Sequence, residues 1–144
     1  MKDLKTTITW QNQMAFSGTT PSGHSIQMDA APEVGGQNSG PRPTELLLNA
    51  IAGCTGIDII MILTKMRLNP THFSMEIDAS RAEEHPKRFT GIHIHYVLKG
   101  ELPEDKVVRA IKLSRDTYCS VSNSVNAAFT FSYSINGEES KQIK

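Results

Sequence analysis

Residues 43–66 read PTELLLNAIAGCTGIDIIMILTKM, and they form the longest element that the sequence predicts. It begins with a proline, which helices tolerate at their first position, and it stops just before an Asn-Pro pair at residues 69–70. Apolar residues surround most of the predicted helix, a pattern that predicts burial on nearly every side. Asn49, Thr55 and Asp58 interrupt the apolar run too often for a bilayer span, so we expect a long buried central helix and no membrane.

Two glycines, Gly53 and Gly56, lie in the middle of this helix. Each costs about 1 kcal/mol of helix propensity relative to alanine. A compensating close approach of another backbone is the expected reason for them. We therefore predict tight packing around Cys54, which lies between the two glycines.

Alternating patterns predict three short strands before the helix and three longer ones after it. The composition of residues 30–40 predicts a flexible loop, residues 103–118 carry an amphipathic helical stripe, and residues 120–126 predict a short helical turn. This order of elements is not the strict alternation that builds a parallel sheet, so we expect an α+β fold with antiparallel sheets. The predicted strands are residues 6–10, 14–17, 25–29, 73–82, 91–99 and 128–135.

The length of 144 residues predicts a single domain, residues 1–144. A helix that is apolar on nearly all sides is hard to cover in a chain of this length, because an open sheet covers only one side. A homodimer that buries the remaining side is the expected solution.

The charge balance excludes several classes of partner. Lys plus Arg and Asp plus Glu both number 15, so there is no excess of positive charge for nucleic acid or an anionic membrane. The N-terminal stretch MKDLKTTITW lacks the apolar core of a secretory signal, about 7 to 15 residues long, so we expect a cytoplasmic protein.

The only two cysteines, Cys54 and Cys119, are the candidates for chemistry. In a reducing compartment such a pair is either inert or redox-active. Without a Cys-x-x-Cys pair, the usual spacing of a structural zinc site is absent, so we expect no metal and no cofactor. The alternative role for Cys54 is that of a small buried hydrophobe.

The local sequence gives the two thiols different surroundings. Cys54 lies about three turns inside its helix, beyond the positive end of the helix dipole, and needs a cation or donor from elsewhere. Arg42, immediately before the helix, is the candidate. Cys119 is placed to open a short helix, which makes it the more easily ionised thiol by local sequence alone.

Three further titratable residues need a partner or a role. Asp58 lies one turn beyond Cys54 on the same face, where an unpaired carboxylate would raise the pKa of the thiol, so we expect it to have a cationic or hydrogen-bonding partner. The alternative is a satisfied carboxylate at a dimer contact. His93 and His95 share a strand face at i,i+2, where solvent-facing histidines are a simpler interpretation than a metal site.

Two segments resemble the motifs of the OsmC/Ohr family. Residues 42–55, RPTELLLNAIAGCT, resemble the family's first cysteine motif, and residues 118–122, YCSVS, resemble its second, Cys-x-Val-Ser. The separation of 65 positions and the order of elements match as well. The resemblance implies an intertwined homodimer that reduces organic hydroperoxides. It also implies that Cys54 attacks the peroxide, that Cys119 resolves the resulting sulfenic acid into a disulfide, and that a dithiol or other thiol reduces this disulfide.

The resemblance is uneven at the residues that hold the thiolate. In that family an arginine and a glutamate do so, and the glutamate directly follows the proline, where this chain has Thr44. Glu45 lies nine steps from Cys54, about 180° around the helix. It therefore serves the partner subunit's site, or it caps the helix and pairs with Arg42 at i,i+3. No other arginine than Arg42 lies in the preceding loop.

Three functions remain open at this point. The first is a thiol-dependent peroxidase for organic hydroperoxides, with the apolar helix around Cys54 as a pocket for the alkyl chain. The second is a non-enzymatic dimeric protein of the same fold that binds a small apolar ligand, favoured by the displaced glutamate. The third is a redox sensor, which requires a partner that the sequence does not reveal.

Overall fold

The computed structural model describes residues 3–144, and its contacts group them into two compact units. One unit ends at Asn49, and the other runs from Ala50 to Lys144. The assignment of residues 1–144 to a single domain stays a prediction. The first two positions of the N-terminal stretch, on which the expected localisation was based, lie outside the described residues.

The first unit contains a three-stranded antiparallel sheet. Its strands are β1 (Thr7–Asn12), β2 (Ala15–Thr19) and β3 (Ser25–Met28), and they pair in chain order. The three short strands predicted before the helix are therefore confirmed. Turn-forming residues separate them, which is why consecutive strands pair with each other.

A buried carboxylate organises the loop that follows β3. Asp29 accepts hydrogen bonds from the Ser39 hydroxyl at 2.7 Å and from three backbone N–H groups, those of Ala30 at 2.7 Å and of Gln37 and Ser39 at 3.1 Å. These donors, with the Ser39 hydroxyl first, lower the pKa of Asp29 to about 2. The loop predicted to be flexible thus has a fixed polar centre.

The lowered pKa predicts a pH dependence of stability. A carboxyl group whose folded pKa lies below its ordinary value of 3.8 contributes its full stabilisation above that pH and loses it as the pH falls towards about 2. Melting temperatures measured across this range should fall more steeply for the wild type than for Asp29→Asn, which should already be less stable at neutral pH. Asp78→Asn, a change at an exposed carboxylate, is the control. Equal slopes for Asp29→Asn and wild type would contradict the assignment.

The long helix α1 (Pro43–Lys65) forms as predicted, within one residue at its end. Glu45 closes its first turn, because one carboxylate oxygen accepts the backbone N–H of Arg42 at 2.9 Å while the Arg42 carbonyl accepts the N–H of Leu46. By length and composition α1 is also sufficient to cross a membrane, as are many core helices of globular proteins. The expectation of no membrane stays a prediction.

One face of α1 is buried in the single chain, and the opposite face is not. Buried residues recur at i,i+4 spacing, whereas Ile57 is 65% exposed and Met61 is 54% exposed. The expected burial on nearly every side is therefore met on one face only. We call Gly53, Ile57, Ile60 and Met61 the outer stripe of α1. The buried residues are Ile51, Thr55, Gly56, Ile59 and Leu63.

The two helix glycines differ in their surroundings. A Cβ at Gly56 would lie 2.8 Å from Cε of Met75, so the close approach there is by a side chain of the sheet rather than by a backbone. Among residues 3–144, and apart from the adjoining residues and the backbone of α1 itself, no atom lies within 4 Å of a Cβ at Gly53. The predicted close backbone approach is therefore wrong for the single chain at both positions.

The second unit contains a four-stranded sheet and the helix α2 (Glu104–Leu113). The strands, in spatial order, are β4 (His72–Arg81), β5 (Phe89–Lys99), β6 (Ala128–Ile135) and β7 (Lys141–Gln142). All pairs are antiparallel except β5 with β6. This pair departs from the expected antiparallel sheets because α2 and the turns after it form a crossover connection, which returns the chain to the same end of the sheet.

The core of this unit lies on one face of the sheet. Strand β5 buries alternate residues, and its central Tyr96 is fully buried. Helix α1 meets this face through Thr55, which is hydrogen-bonded to Tyr96, and through Gly56. Helix α2 adds buried residues of its own. The buried residues of β5 and α2 are Ile92, Ile94, Tyr96, Leu98, Val107, Ala110 and Ile111.

Candidate functional site

The structure brings the two cysteines together. The sulfur atoms of Cys54 and Cys119 and a carboxylate oxygen of Asp58 all lie within 4.8 Å of one another, and both thiols are free. Cys54 is half-buried on α1, whereas Cys119 is 1% exposed. The sequence placed these residues 65 positions apart, so the fold alone creates the pair.

Cys119 lies at the end of a turn rather than at the start of a helix. Residues Ser114–Tyr118 form one turn of π-helix after α2, and the backbone N–H of Cys119 donates to the Ser114 carbonyl at 2.9 Å. The predicted helical turn is confirmed as a short 3₁₀ segment, Ser122–Ser124. Single π turns are frequent at functional sites. Here the turn directs the Cys119 sulfur towards α1.

The surroundings of Cys54 favour its thiolate. Partial burial raises the pKa of Cys54, but hydrogen bonds from the Val121 backbone, the Cys119 thiol and the Ser120 hydroxyl outweigh this effect, and the net pKa is lowered. The Ser120 oxygen lies 3.9 Å from the Cys54 sulfur. The negative charge of Asp58 opposes the lowering. The hydrogen-bond donors that Cys54 needs, which the sequence could not identify, thus include the two residues that directly follow Cys119, namely Ser120 and Val121.

Cys119 is shifted in the opposite direction. Burial raises its pKa, and the neighbouring Cys54 raises it further, although Ser122 donates to its sulfur with a backbone N–H at 3.4 Å. The expectation that Cys119 is the more easily ionised thiol is therefore wrong. Local sequence indicated a helix start, but the helical segment begins three residues later and the thiol is buried.

Labelling should show this order of reactivity. Only a thiolate is alkylated rapidly, so iodoacetamide should modify Cys54 before Cys119, with a pH midpoint below the ordinary thiol value of 9.0. Peptide mass spectrometry after brief labelling at several pH values measures both rates. Unfolded protein, in which the two thiols should react alike, is the control. Faster labelling of Cys119 in the folded protein would contradict the assignment.

A directed chain of hydroxyl groups holds Asp58. The Ser114 hydroxyl donates to Asp58 Oδ2 at 2.9 Å, so its oxygen must accept the hydrogen of Thr55, 2.8 Å away. Thr55 in turn must accept from the Tyr96 hydroxyl, also at 2.8 Å. Burial raises the pKa of Tyr96 to about 12, which keeps this donor protonated. The expected hydrogen-bonding partner of Asp58 is thus confirmed as Ser114.

A cavity of about 300 Å³ lies beside this cluster. Asp58 and Tyr118 are part of its wall. Asp58 lies close to both cysteine sulfurs, and Tyr118 directly precedes Cys119 in the chain. The remaining wall is mainly apolar, with two cations. These residues are Met61, Ile62, Lys65, Met66, Arg109 and Leu113.

Arg42 and Glu45 make their hydrogen bonds within their own unit. The Arg42 guanidinium donates to Asn38 Oδ1 at 2.6 Å and to the Gly40 carbonyl at 3.2 Å. Glu45 accepts a hydrogen bond from the backbone N–H of Arg42, so it caps the helix, which is one of the two expected alternatives. The side chains of Arg42 and Glu45 do not form an ion pair with each other. The roles of both residues in stabilising a thiolate stay predictions.

The two histidines of β5 form hydrogen bonds with hydroxyl groups of β6. Both ring nitrogens of His93 are engaged, Nδ1 with Thr130 at 2.6 Å and Nε2 with Ser132 at 2.8 Å. His95 Nδ1 lies 2.6 Å from the same Ser132 oxygen. Both histidines are half-buried, and both lie on the face of β5 opposite to its buried residues.

The fold and the paired free thiols define a small α+β protein with a two-cysteine site. A family model described as "OsmC-like protein" matches residues 36–134. The chain belongs to this family. Protein YhfA of Escherichia coli K12 is 34% identical over 135 residues, which are 91% of this chain and 96% of YhfA.

Solved structures agree with the family assignment. A hypothetical protein from Aquifex aeolicus VF5 superposes with a TM-score of 0.77 at 30% identity, over 96% of this chain and 100% of that chain. A protein from Legionella pneumophila, described as an organic hydroperoxide resistance protein OsmC, superposes with a TM-score of 0.70 at 18% identity, over 93% and 98% of the two chains. The latter similarity shows the fold alone. The predicted α+β, OsmC-like fold is confirmed.

Proposed function

We propose that the protein is a thiol-dependent peroxidase that reduces organic hydroperoxides through Cys54 and Cys119. One observation carries the proposal: two free thiols lie within 4.8 Å of each other, and their surroundings lower the pKa of Cys54 and raise that of Cys119. A peroxidatic thiol must be ionised to attack, whereas a resolving thiol acts only later. The names of structural relatives agree with a role in hydroperoxide resistance.

In the first step the Cys54 thiolate attacks the terminal peroxide oxygen. A sulfur–oxygen bond forms, the O–O bond breaks, and the departing alkoxide takes a proton to leave as an alcohol. Cys54 becomes a sulfenic acid, so the peroxide is reduced and the sulfur is oxidised by two electrons. Donors from Ser120 and Val121 stabilise the starting thiolate.

In the second step the Cys119 sulfur displaces the hydroxyl group of the Cys54 sulfenic acid as water. A disulfide requires the two sulfurs to approach to about 2.05 Å, so the pair must close from its separation of up to 4.8 Å. An external dithiol then reduces the disulfide by thiol–disulfide exchange and restores both thiols.

The cavity beside Asp58 suits the alkyl part of such a substrate. Its volume of about 300 Å³ lies at the lower end of ordinary ligand pockets, and Met61, Ile62 and Leu113 give it apolar walls. Burial of alkyl groups there would favour organic hydroperoxides over hydrogen peroxide.

Turnover with a dithiol reductant tests the proposal. The reduced protein should consume an excess of cumene hydroperoxide over protein while dithiothreitol is present, and it should consume hydrogen peroxide more slowly. The reductant with peroxide but without protein is the control. Consumption no faster than this control would reject the proposal.

The cavity also favours a second candidate function, binding of a small apolar ligand without catalysis. This alternative predicts that an apolar compound binds equally well to wild type and to the double variant Cys54→Ser, Cys119→Ser, and that neither protein consumes peroxide.

The proposal includes a homodimer formed through the outer stripe of α1. Ile57 is 65% exposed, and space is open around Gly53, so a second copy can approach there. Exposed apolar surface of this kind on a monomer is typical of an interaction site. The resemblance to an intertwined dimeric family supports the same arrangement.

A charge in this stripe should separate the subunits. Burial of one isoleucine side chain contributes about 1.5–3 kcal/mol, so Ile57→Asp should weaken the dimer at least about a hundredfold, since both copies lose the contact. Analytical ultracentrifugation over a concentration series measures the effect. Ser80→Asp, an exposed position on β4, is the control and should remain dimeric. A wild-type monomer, or an Ile57→Asp dimer as tight as the control, would contradict the interface.

A further inference from the structure

The cluster that brings the thiols together also has the composition of a metal site. It offers two sulfurs, from Cys54 and Cys119, and a carboxylate oxygen of Asp58, all within 4.8 Å of one another. Zinc binds sulfur at about 2.3 Å and carboxylate oxygen at about 2.0–2.2 Å, so two ligands of one tetrahedral ion lie about 3.5–3.8 Å apart. The ligand atoms would therefore have to approach one another by at most about 1.3 Å to share one ion.

We propose that the reduced protein binds one zinc-like divalent cation through Cys54, Asp58 and Cys119. Three protein ligands leave the fourth tetrahedral position open to water or to a small molecule. The absence of a zinc spacing in the sequence does not exclude this site, because the ligands come from two segments that only the fold brings together.

The two ligands on α1 have a favourable spacing. Cys54 and Asp58 are at i,i+4, so their side chains lie on one face of the helix, one turn apart. Helical ligand pairs at this spacing chelate one metal ion in other proteins. Cys119 completes the set from the opposite side, where the π turn directs its sulfur towards the helix.

The groups behind the ligands would orient them. The Ser114 hydroxyl donates to one oxygen of Asp58 at 2.9 Å, and Thr55 holds Ser114 in place. The backbone N–H of Ser122 lies 3.4 Å from the Cys119 sulfur. Hydrogen bonds of this kind fix first-shell ligands and tune metal affinity.

Thiolate ligands select the class of cation. Sulfur favours zinc and similar soft or borderline ions, whereas magnesium and calcium require oxygen ligands. A disulfide between the cysteines would leave neither sulfur as a thiolate, so oxidised protein should not bind the ion. Metal binding itself does not depend on the proposed peroxidase, but it would inhibit that reaction by occupying the Cys54 sulfur.

Native mass spectrometry and equilibrium dialysis with Zn²⁺ test the proposal on reduced, metal-free protein. One ion should bind per chain, Co²⁺ should give thiolate-to-cobalt charge-transfer absorption, and Mg²⁺ should not compete. Asp58→Asn and Cys54→Ser should each weaken zinc binding more than about tenfold, while Asp78→Asn, an exposed carboxylate on β4, should not. Circular dichroism of each variant confirms that it is folded.

Two results would overturn the site. One is zinc binding by wild type no tighter than by Cys54→Ser. The other is equal affinity in Asp58→Asn and Asp78→Asn, which would remove Asp58 from the ligand set. Because peroxide is absent from these assays, failure of the metal site leaves hydroperoxide turnover untouched, and failure of turnover leaves the zinc stoichiometry unchanged.

Discussion

Cys54→Ser should lose hydroperoxide reduction by more than about a thousandfold, because a serine hydroxyl is not ionised at neutral pH and cannot replace the thiolate nucleophile. In the proposed reaction Cys54 is the attacking residue, because its pKa is lowered and because the residue is only half-buried. Initial rates of cumene hydroperoxide consumption with dithiothreitol give the comparison. Turnover of the variant within tenfold of the wild-type rate would contradict the assignment.

Cys119→Ser is the matched control, since it makes the same atomic change at the second cysteine. This variant should still reduce one equivalent of peroxide per chain, because the attacking thiol is intact. Its Cys54 sulfenic acid should then persist and be trapped by dimedone, whereas in the wild type the disulfide prevents trapping. Loss of the first equivalent in Cys119→Ser would show that the roles are reversed.

Thr55→Val should cause the largest loss of stability among the changes considered, about 2–5 kcal/mol. The substitution keeps the shape of the side chain but removes the hydroxyl group, which accepts a hydrogen bond from Tyr96 and donates one to Ser114. Both partners are fully buried, and a buried polar group without its partner costs about 1–3 kcal/mol. The Ser114 hydroxyl, and with it Asp58, would also lose its fixed orientation.

Thr55→Ser keeps the hydroxyl and should cost only about 1 kcal/mol for the lost methyl group. Urea unfolding of the two variants and the wild type, at one protein concentration, measures the difference. Nearly equal stabilities of Thr55→Val and Thr55→Ser would show that the directed hydroxyl chain does not stabilise the fold.

Much of the fold was predictable because its signals are local. The helix from Pro43 and the alternation of β5 depend on residues a few positions apart, and both form nearly as predicted. The parallel pairing of β5 with β6 was not predictable from these patterns. The direction of β6 depends on the path of the 28-residue connection between the two strands, residues 100–127. The alternation of apolar and polar residues within a strand carries no information about that path.

The site was only partly predictable, because its energetics depend on distant contacts. The proximity of Cys54 and Cys119 was implied by resemblance, and the need for a partner at Asp58 followed from electrostatics. That partner is Ser114, which lies 56 positions from Asp58 in the chain. No pattern in the sequence near Asp58 could have identified it. The order of acidity was predicted the wrong way round, because burial of Cys119 and the donors at residues 120–121 are properties of the folded chain.

The proposed reaction is tested most directly by the mass of the reduced protein after one equivalent of an organic hydroperoxide. Each chain should lose two hydrogens, and digestion should then give one linked peptide that joins Cys54 to Cys119. An unaltered mass, or oxygen addition to the two sulfurs without a link between them, would contradict it.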